Sequence, residues 1–198
     1  MTTEITTAAA FVQQTDVKTV LVVVAHPDDV DFGSGGTVSA MVDAGATVHY
    51  CIVTSGDAGG FEDEGQAEIA HLREKEQRAA ADIYGVDKIF YLREKDGAVE
   101  PTLELQKKLI RVMRTVRADT ILTQHPERTW DSFQRSHPDH LAVGEAVTRA
   151  VYPGVENAYA FPELRHDEGL EPYRVHQMML MAPPWQYVNL AIDVTDYV

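Results

Sequence analysis

Two short stretches of this chain carry side chains that could do chemistry together: His26-Pro27-Asp28-Asp29 and His137-Pro138-Asp139-His140. Three protein ligands drawn from His, Asp, Glu or Cys, with a fourth position left to water, make a catalytic zinc site. A metal held in that way lowers the pKa of its water from about 15.7 to about 7. A carboxylate that is not a ligand can then take the remaining proton as general base. The two stretches supply enough such groups, provided the fold brings them together. Singly they say less, because Asp at a strand end or helix start often only caps a helix. The repetition of His-Pro-Asp at two loop positions favours chemistry. Spacing alone does not decide which of Asp28 and Asp29 would be ligand and which base.

The first stretch ends the apolar run Leu21-Val22-Val23-Val24, which reads as a strand. It leads through Gly33-Ser34-Gly35-Gly36 into a helical pattern from about Thr37 to Ala44. Ala46–Thr54 is a second strand, rich in β-branched and aromatic residues, and a glycine-rich loop follows it. A helix is expected from Gly65 to Ile83, stopped by Gly85, then a third strand over Lys88–Leu92 and the polar loop Arg93-Glu94-Lys95-Asp96-Gly97. Leu103–Val116 has helical spacing and Thr120–Thr123 is a fourth strand. Gln124 to Ser136 is a long polar loop that delivers the second stretch at the start of a helix over Leu141–Val151. In the last third, Val175–Met181 and Tyr187–Val194 read as strands, and the residues before Lys18 as a short, partly frayed lead-in. Strands alternating with helices predict an α/β fold: a Rossmann-like, open, mostly parallel sheet with helices on both faces. With no internal repeat or linker, one domain over 1–198 is expected. Ligands in such sheets bind outside the carboxyl ends of the strands, where both His-Pro-Asp stretches fall.

Apolar residues make up 44% and charged residues 24% of the chain, an ordinary globular composition. The net charge of −14 argues against a nucleic-acid partner, which would need clustered Lys and Arg. No apolar run approaches the ~20 residues of a membrane span, and the N-terminus lacks the layout of a signal peptide. Cys51 is the only cysteine and sits in an apolar strand, so it reads as a buried small hydrophobe. These features point to the cytoplasm. Gly33 and Gly35 begin a GxGxxG pattern, but Val38 takes the third glycine's place and no Walker A lysine follows. The glycines are therefore expected to let the first helix pack closely and the loop turn, rather than to cradle phosphate.

AHPDDVDFGSGGT together with SHPDH resembles the PIG-L / LmbE-like family of zinc-dependent de-N-acetylases. That family includes the mycothiol-pathway deacetylase and the mycothiol S-conjugate amidase. The resemblance runs from about Lys18 to Thr195 and takes in HLREKEQRAAADIYGV, DGAVEPTLEL and NAYAFPELRHDEGLEP. It implies a single LmbE-like deacetylase domain that hydrolyses an N-acyl group, above all N-acetyl, from an amino sugar such as an N-acetylglucosaminide. Carried over by position, it makes His26, Asp29 and His140 the metal ligands and Asp28 the general base. His137 would stabilise the oxyanion or protonate the leaving amine. Arg73 would contact the sugar or its phosphate-like substituent, and Asp96 sugar hydroxyls. Val30 stands where many members have Glu, with Asp31 as the next acid. Similar proteins also continue past Asp193-Val194-Thr195-Asp196 into a further helix, which is not found before Val198.

Trp130, in the loop before the second motif, offers a ring on which a sugar could stack. Trp185, after two prolines, is expected to pack, His125 to be a supporting loop residue, and His49 and His71 to be structural. The implied cofactor is Zn2+, although two His and one Asp suit Fe2+ as well. The expected partner is a small N-acyl amino sugar or conjugate, with no nucleic acid and no membrane; homo-oligomerisation is left open. Two other readings stand beside this one. The first is an amidase acting on mycothiol-type S-conjugates. The second is a non-catalytic sugar- or nucleotide-binding Rossmann-like module.

Overall fold

The computed structural model describes residues 3–59, 65–130, 133 and 136–197. Its elements run β1 (Glu4–Thr7), α1 (Ala8–Thr15), β2 (Thr19–Val24), α2 (Asp29–Gly33), α3 (Gly35–Asp43) and β3 (Thr47–Thr54). They continue with α4 (Gln66–Ile83), β4 (Lys88–Glu94), α5 (Leu103–Val116), β5 (Thr120–Gln124), α6 (Pro138–Arg149), α7 (Pro162–His166), β6 (Gln177–Met181) and β7 (Leu190–Asp193).

β2 is apolar from Val20 to Val24 because both faces of its sheet are covered, the usual setting of parallel strands. The sheet has five strands in the order β4-β3-β2-β5-β6, every pair parallel. Side chains alternate between two cores. Leu21, Val23, Cys51 and Val53 face Leu109, Met113, Val143 and Val147 of α5 and α6. Val20, Val22, Val24, Tyr50 and Ile52 face Phe11, Val38, Met41 and Ala81 of α1, α3 and α4. The Rossmann-like expectation holds, with helices on both faces. Among the described residues no helix is long and apolar enough to cross a membrane.

Successive strands run outward from β2 through β3 to β4, whereas β5 and β6 lie on its other side. The connections therefore reverse between β2 and β5, the crevice where open α/β sheets bind ligands. The register sets Val23 beside Thr123, so His26 emerges next to Gln124 and His125.

Three expectations need correction. Residues 4–15 form a strand and a helix: Thr7 caps α1 by accepting from Ala10 N at 3.2 Å, and Ala8 and Phe11 are buried. The last strand is shorter than expected and lies outside the main sheet, where β7 pairs in parallel with β1. Helix α6 begins three residues early, because Pro138 occupies its first turn, where a missing N–H does no harm. His140 is thus on the helix rather than before it.

Candidate metal centre and its supports

The turn under the site is made by Asp28, not by the glycines. Asp28 has φ 87° and ψ −23°, a left-handed conformation rare outside glycine. This turns Asp29 back under His26, and Asp29 Oδ2 accepts from the His26 backbone N–H at 2.8 Å. None of Gly33, Gly35 and Gly36 has a positive φ; Gly35 instead lets the chain approach Tyr84, where a Cβ would lie 3.0 Å from the hydroxyl.

Three potential ligand side chains converge. His140 Nε2 lies 3.0 Å from Asp29 Oδ1 and 3.3 Å from His26 Nδ1, and His26 Nδ1 lies 3.6 Å from Asp29 Oδ2. A tetrahedral zinc with bonds of about 2.0–2.1 Å has ligand–ligand edges of about 3.3–3.4 Å. The donor set fits a divalent metal by type and by spacing. The other side of His26 is committed: its Nε2 lies 3.1 Å from both Asp139 Oδ2 and Asp96 Oδ1. A proton on Nε2 satisfies those carboxylates and leaves Nδ1 with a free lone pair, the carboxylate–histidine arrangement that orients metal-binding imidazoles. Burial alone would lower the His26 pKa. The Asp29, Asp139 and Asp96 carboxylates outweigh it and lift the ring to about 9 in the metal-free site. Asp29 is buried too, yet its bonds with His140 and His26 hold its carboxyl well below the ordinary carboxylate range.

Asp28 points beside this cluster with its side chain half exposed, and burial raises its pKa against the opposing pull of Arg73. Arg73 Nη2 donates to Asp28 Oδ2 and to Pro27 O, both at 2.9 Å, and Nη1 to Gly56 O at 3.0 Å. His137 caps α6 by accepting from Asp139 N at its Nδ1, 3.2 Å away. Its neutral tautomer therefore carries the proton on Nε2. Burial and the neighbouring His26 and His140 rings lower its pKa, which keeps that tautomer populated at neutral pH. A cleft of about 350 Å³ opens over Asp28, Asp29 and His140, walled by Phe32, Leu141 and Met181.

His26, Asp28, Asp29, His137 and His140 are thus brought together. The remaining three face neighbouring protein groups. Asp96 is buried behind His26, and its second oxygen accepts from Ala58 N at 3.0 Å, so it backs the imidazole instead of reaching for sugar hydroxyls. Arg73 spends its described bonds on the turn that carries Asp28 and on Gly56. Trp130 is 82% exposed and lies outside the cleft lining, with the Arg128 guanidinium 5.7 Å from its ring centre. Neighbouring residues 131, 132, 134 and 135 of that loop fall outside the described ones. Trp185 does not pack either; the short turn after Pro184 leaves it 85% exposed.

Three supports were missed. Asp139, fully buried, accepts from Gly97 N and Val99 N besides facing His26. Gln124 accepts from Ala25 N at 3.1 Å and donates to Asp29 Oδ2 at 2.9 Å. Gln77 accepts from Asp28 N at 2.6 Å. Asp139 could have been suspected from its place inside the second motif. The two amides gave no signal, since Gln is an ordinary helix or strand-end residue.

The profile of the PIG-L family, described as GlcNAc-PI de-N-acetylase, matches residues 21–151. Diacetylchitobiose deacetylase of Thermococcus kodakarensis is 33% identical over 91% of this chain and 65% of its own length. A probable N-acetyl-alpha-D-glucosaminyl L-malate deacetylase 2 of Bacillus cereus is 33% identical over 67% of this chain and 60% of its own. The crystal structure of N,N'-diacetylchitobiose deacetylase from Pyrococcus horikoshii superposes with a TM-score of 0.81 at 30% identity, covering 92% of this chain and 66% of that one. The chain accordingly spans about 60–66% of the length of these relatives. Because the profile takes in both His-Pro-Asp motifs and most of the sheet, the chain belongs to the PIG-L family.

Proposed function

We propose that this protein is a metal-dependent de-N-acetylase acting on an N-acetylated amino sugar. The observation that carries this reading is the convergence of His140 Nε2, His26 Nδ1 and the Asp29 carboxylate, its Oδ1 3.0 Å from His140 and its Oδ2 3.6 Å from His26, with a separate carboxyl, Asp28, beside them. His26, Asp29 and His140 would hold the ion. When bound, a divalent metal there supplies Lewis-acid polarisation of the amide carbonyl and acidifies a water.

The chain's own groups do the rest. Asp28 accepts a proton from the attacking water, aided by the raised pKa that burial gives it. His137 donates from Nε2–H to the oxygen on which negative charge develops. The proton held by Asp28 then passes to the departing nitrogen, so that amide and water leave as free amine and acetic acid, which gives up its proton to solvent as acetate. The reading extends to zinc or iron(II) as the metal, to a single domain and to a cytoplasmic setting, which the lone buried Cys51 suits. A simple sugar-binding module would have no use for the spare carboxyl.

The test is acetate release from N-acetylglucosaminides, including N,N'-diacetylchitobiose, by protein whose bound metal is measured in parallel with the His140→Ala variant. About one metal per chain together with turnover, both lost in the variant, supports the reading. Bound metal without turnover on any N-acetyl sugar overturns it.

A further inference from the structure

We propose that Gln77 is the positioning residue of the Asp28 carboxyl, acting through the backbone of the turn that carries it. This role rests on the de-N-acetylase reading. Asp28 holds a left-handed backbone at φ 87° although it is not glycine. Such a conformation is strained and persists only where its surroundings over-determine it.

Helix α4 supplies those surroundings. Gln77 is 2% exposed and accepts from the Asp28 N–H at 2.6 Å through Oε1. Arg73, one turn earlier, donates to Pro27 O immediately before Asp28 and to the Asp28 carboxylate itself. The carbonyl preceding Asp28, its N–H and its side chain are thus all held from a single helix. The direction of the Gln77 amide is defined as well. Only its oxygen can accept from an N–H, so Oε1 faces Asp28 and Nε2 points away from it.

Gln77 does not line the cleft, and none of its hydrogen bonds goes to His26, Asp29 or His140. Its influence on chemistry therefore has one route, the place of the Asp28 carboxyl. Without the acceptor, a part-buried N–H is left unpaired and the strained turn loses one of its three bonds to α4.

The experiment compares Gln77→Met, which keeps length and apolar bulk but no acceptor, in the wild-type and Asp28→Ala backgrounds. The readouts are kcat and KM for acetate release, bound metal, Tm, and hydrogen exchange at the residue 28 amide. In the wild-type background, kcat should fall by about tenfold to a hundredfold, the scale of a misplacement near 1 Å. KM and metal content should stay within twofold, while the residue 28 amide loses protection. In the Asp28→Ala background, the same substitution should leave the residual kcat unchanged. Gln77→Asn, which withdraws the acceptor by one methylene, gives the same pattern if the Met variant folds poorly. Equal losses in both backgrounds, or loss of metal in step with kcat, would overturn the proposal. A wild-type protein that binds metal but releases no acetate overturns the functional reading, and this role with it.

Discussion

A Cβ placed on Gly144 would collide with the carbonyl oxygen of Gln124 and lie 3.0 Å from the backbone N of Pro126. Gly144 stands one helical turn after His140 on α6, so this close approach seats the helix against the end of β5 and carries His140 to Asp29. Backbone cannot yield as a flexible side chain does. Gly144→Ala should destabilise the protein by about 1–3 kcal/mol, the usual range for overpacking. It should also weaken metal binding, because α6 must shift. Thermal melting and a competitive metal titration check both; a variant with unchanged Tm and affinity refutes the link.

Asp28→Asn should lower kcat by about 10²–10⁴, the usual contribution of a general base. Asn keeps the shape of the side chain, and Asp28 is not one of the converging atoms. Bound metal should therefore stay near the wild-type amount. Metal analysis beside steady-state kinetics tests this, and loss of metal in the variant would make Asp28 a ligand.

Asp139→Asn should reduce metal affinity by about 10–100-fold, the usual effect of removing the carboxylate behind a ligand histidine. The amide still fills the space, but its single oxygen can accept from only one of Gly97 N and Val99 N, which bond to different Asp139 oxygens; Asp139→Ala leaves both unpaired, so Tm should fall less in Asp139→Asn. Chelator competition gives the affinity, and melting separates the two variants.

The pH dependence of the metal-free protein follows from His26. Its folded pKa stands at about 9 against an ordinary 6.5. The stability this confers is complete below about pH 6.5 and is lost as pH rises through about 9. Metal-free protein should therefore melt several degrees lower at pH 9 than at pH 7. Asp29 acts in the opposite window: its contribution is present above about pH 4 and is lost as pH falls through its depressed folded value. Because metal replaces the His26 proton, metal affinity should rise with pH up to about 9. Calorimetry of metal-free protein and metal titrations between pH 6.5 and 9 would expose a flat response, which would contradict the assignment of His26.

Much of the centre was legible because its chemistry resides in residue type. An imidazole and two carboxylates at the end of a run of valines and a leucine have few other uses, and the helices and strands on either side followed from periodicity. What escaped depends on contacts between distant segments. Asp96 reads as a loop carboxyl until the turn after β4 is seen to fold behind His26. Gln124 matters only because β5 lies next to β2, and Gln77 only because α4 crosses below the first motif. The strand and helix of residues 4–15 have the same origin. β1 is four residues long and finds its partner in β7, a pairing that local pattern cannot express.

That pairing also bears on the order of folding. Glu4 meets Leu190, so the two strands can join only after nearly all the described chain has been gathered between them. Contacts of such long range form late, since the entropy of closing the loop is lost before they repay it. With four residues a side and exposed positions on both strands, this small sheet is also lightly held. Its amides should be the last to gain protection during refolding and among the first to exchange in the native state, while β2 and β3 behave as the slow core.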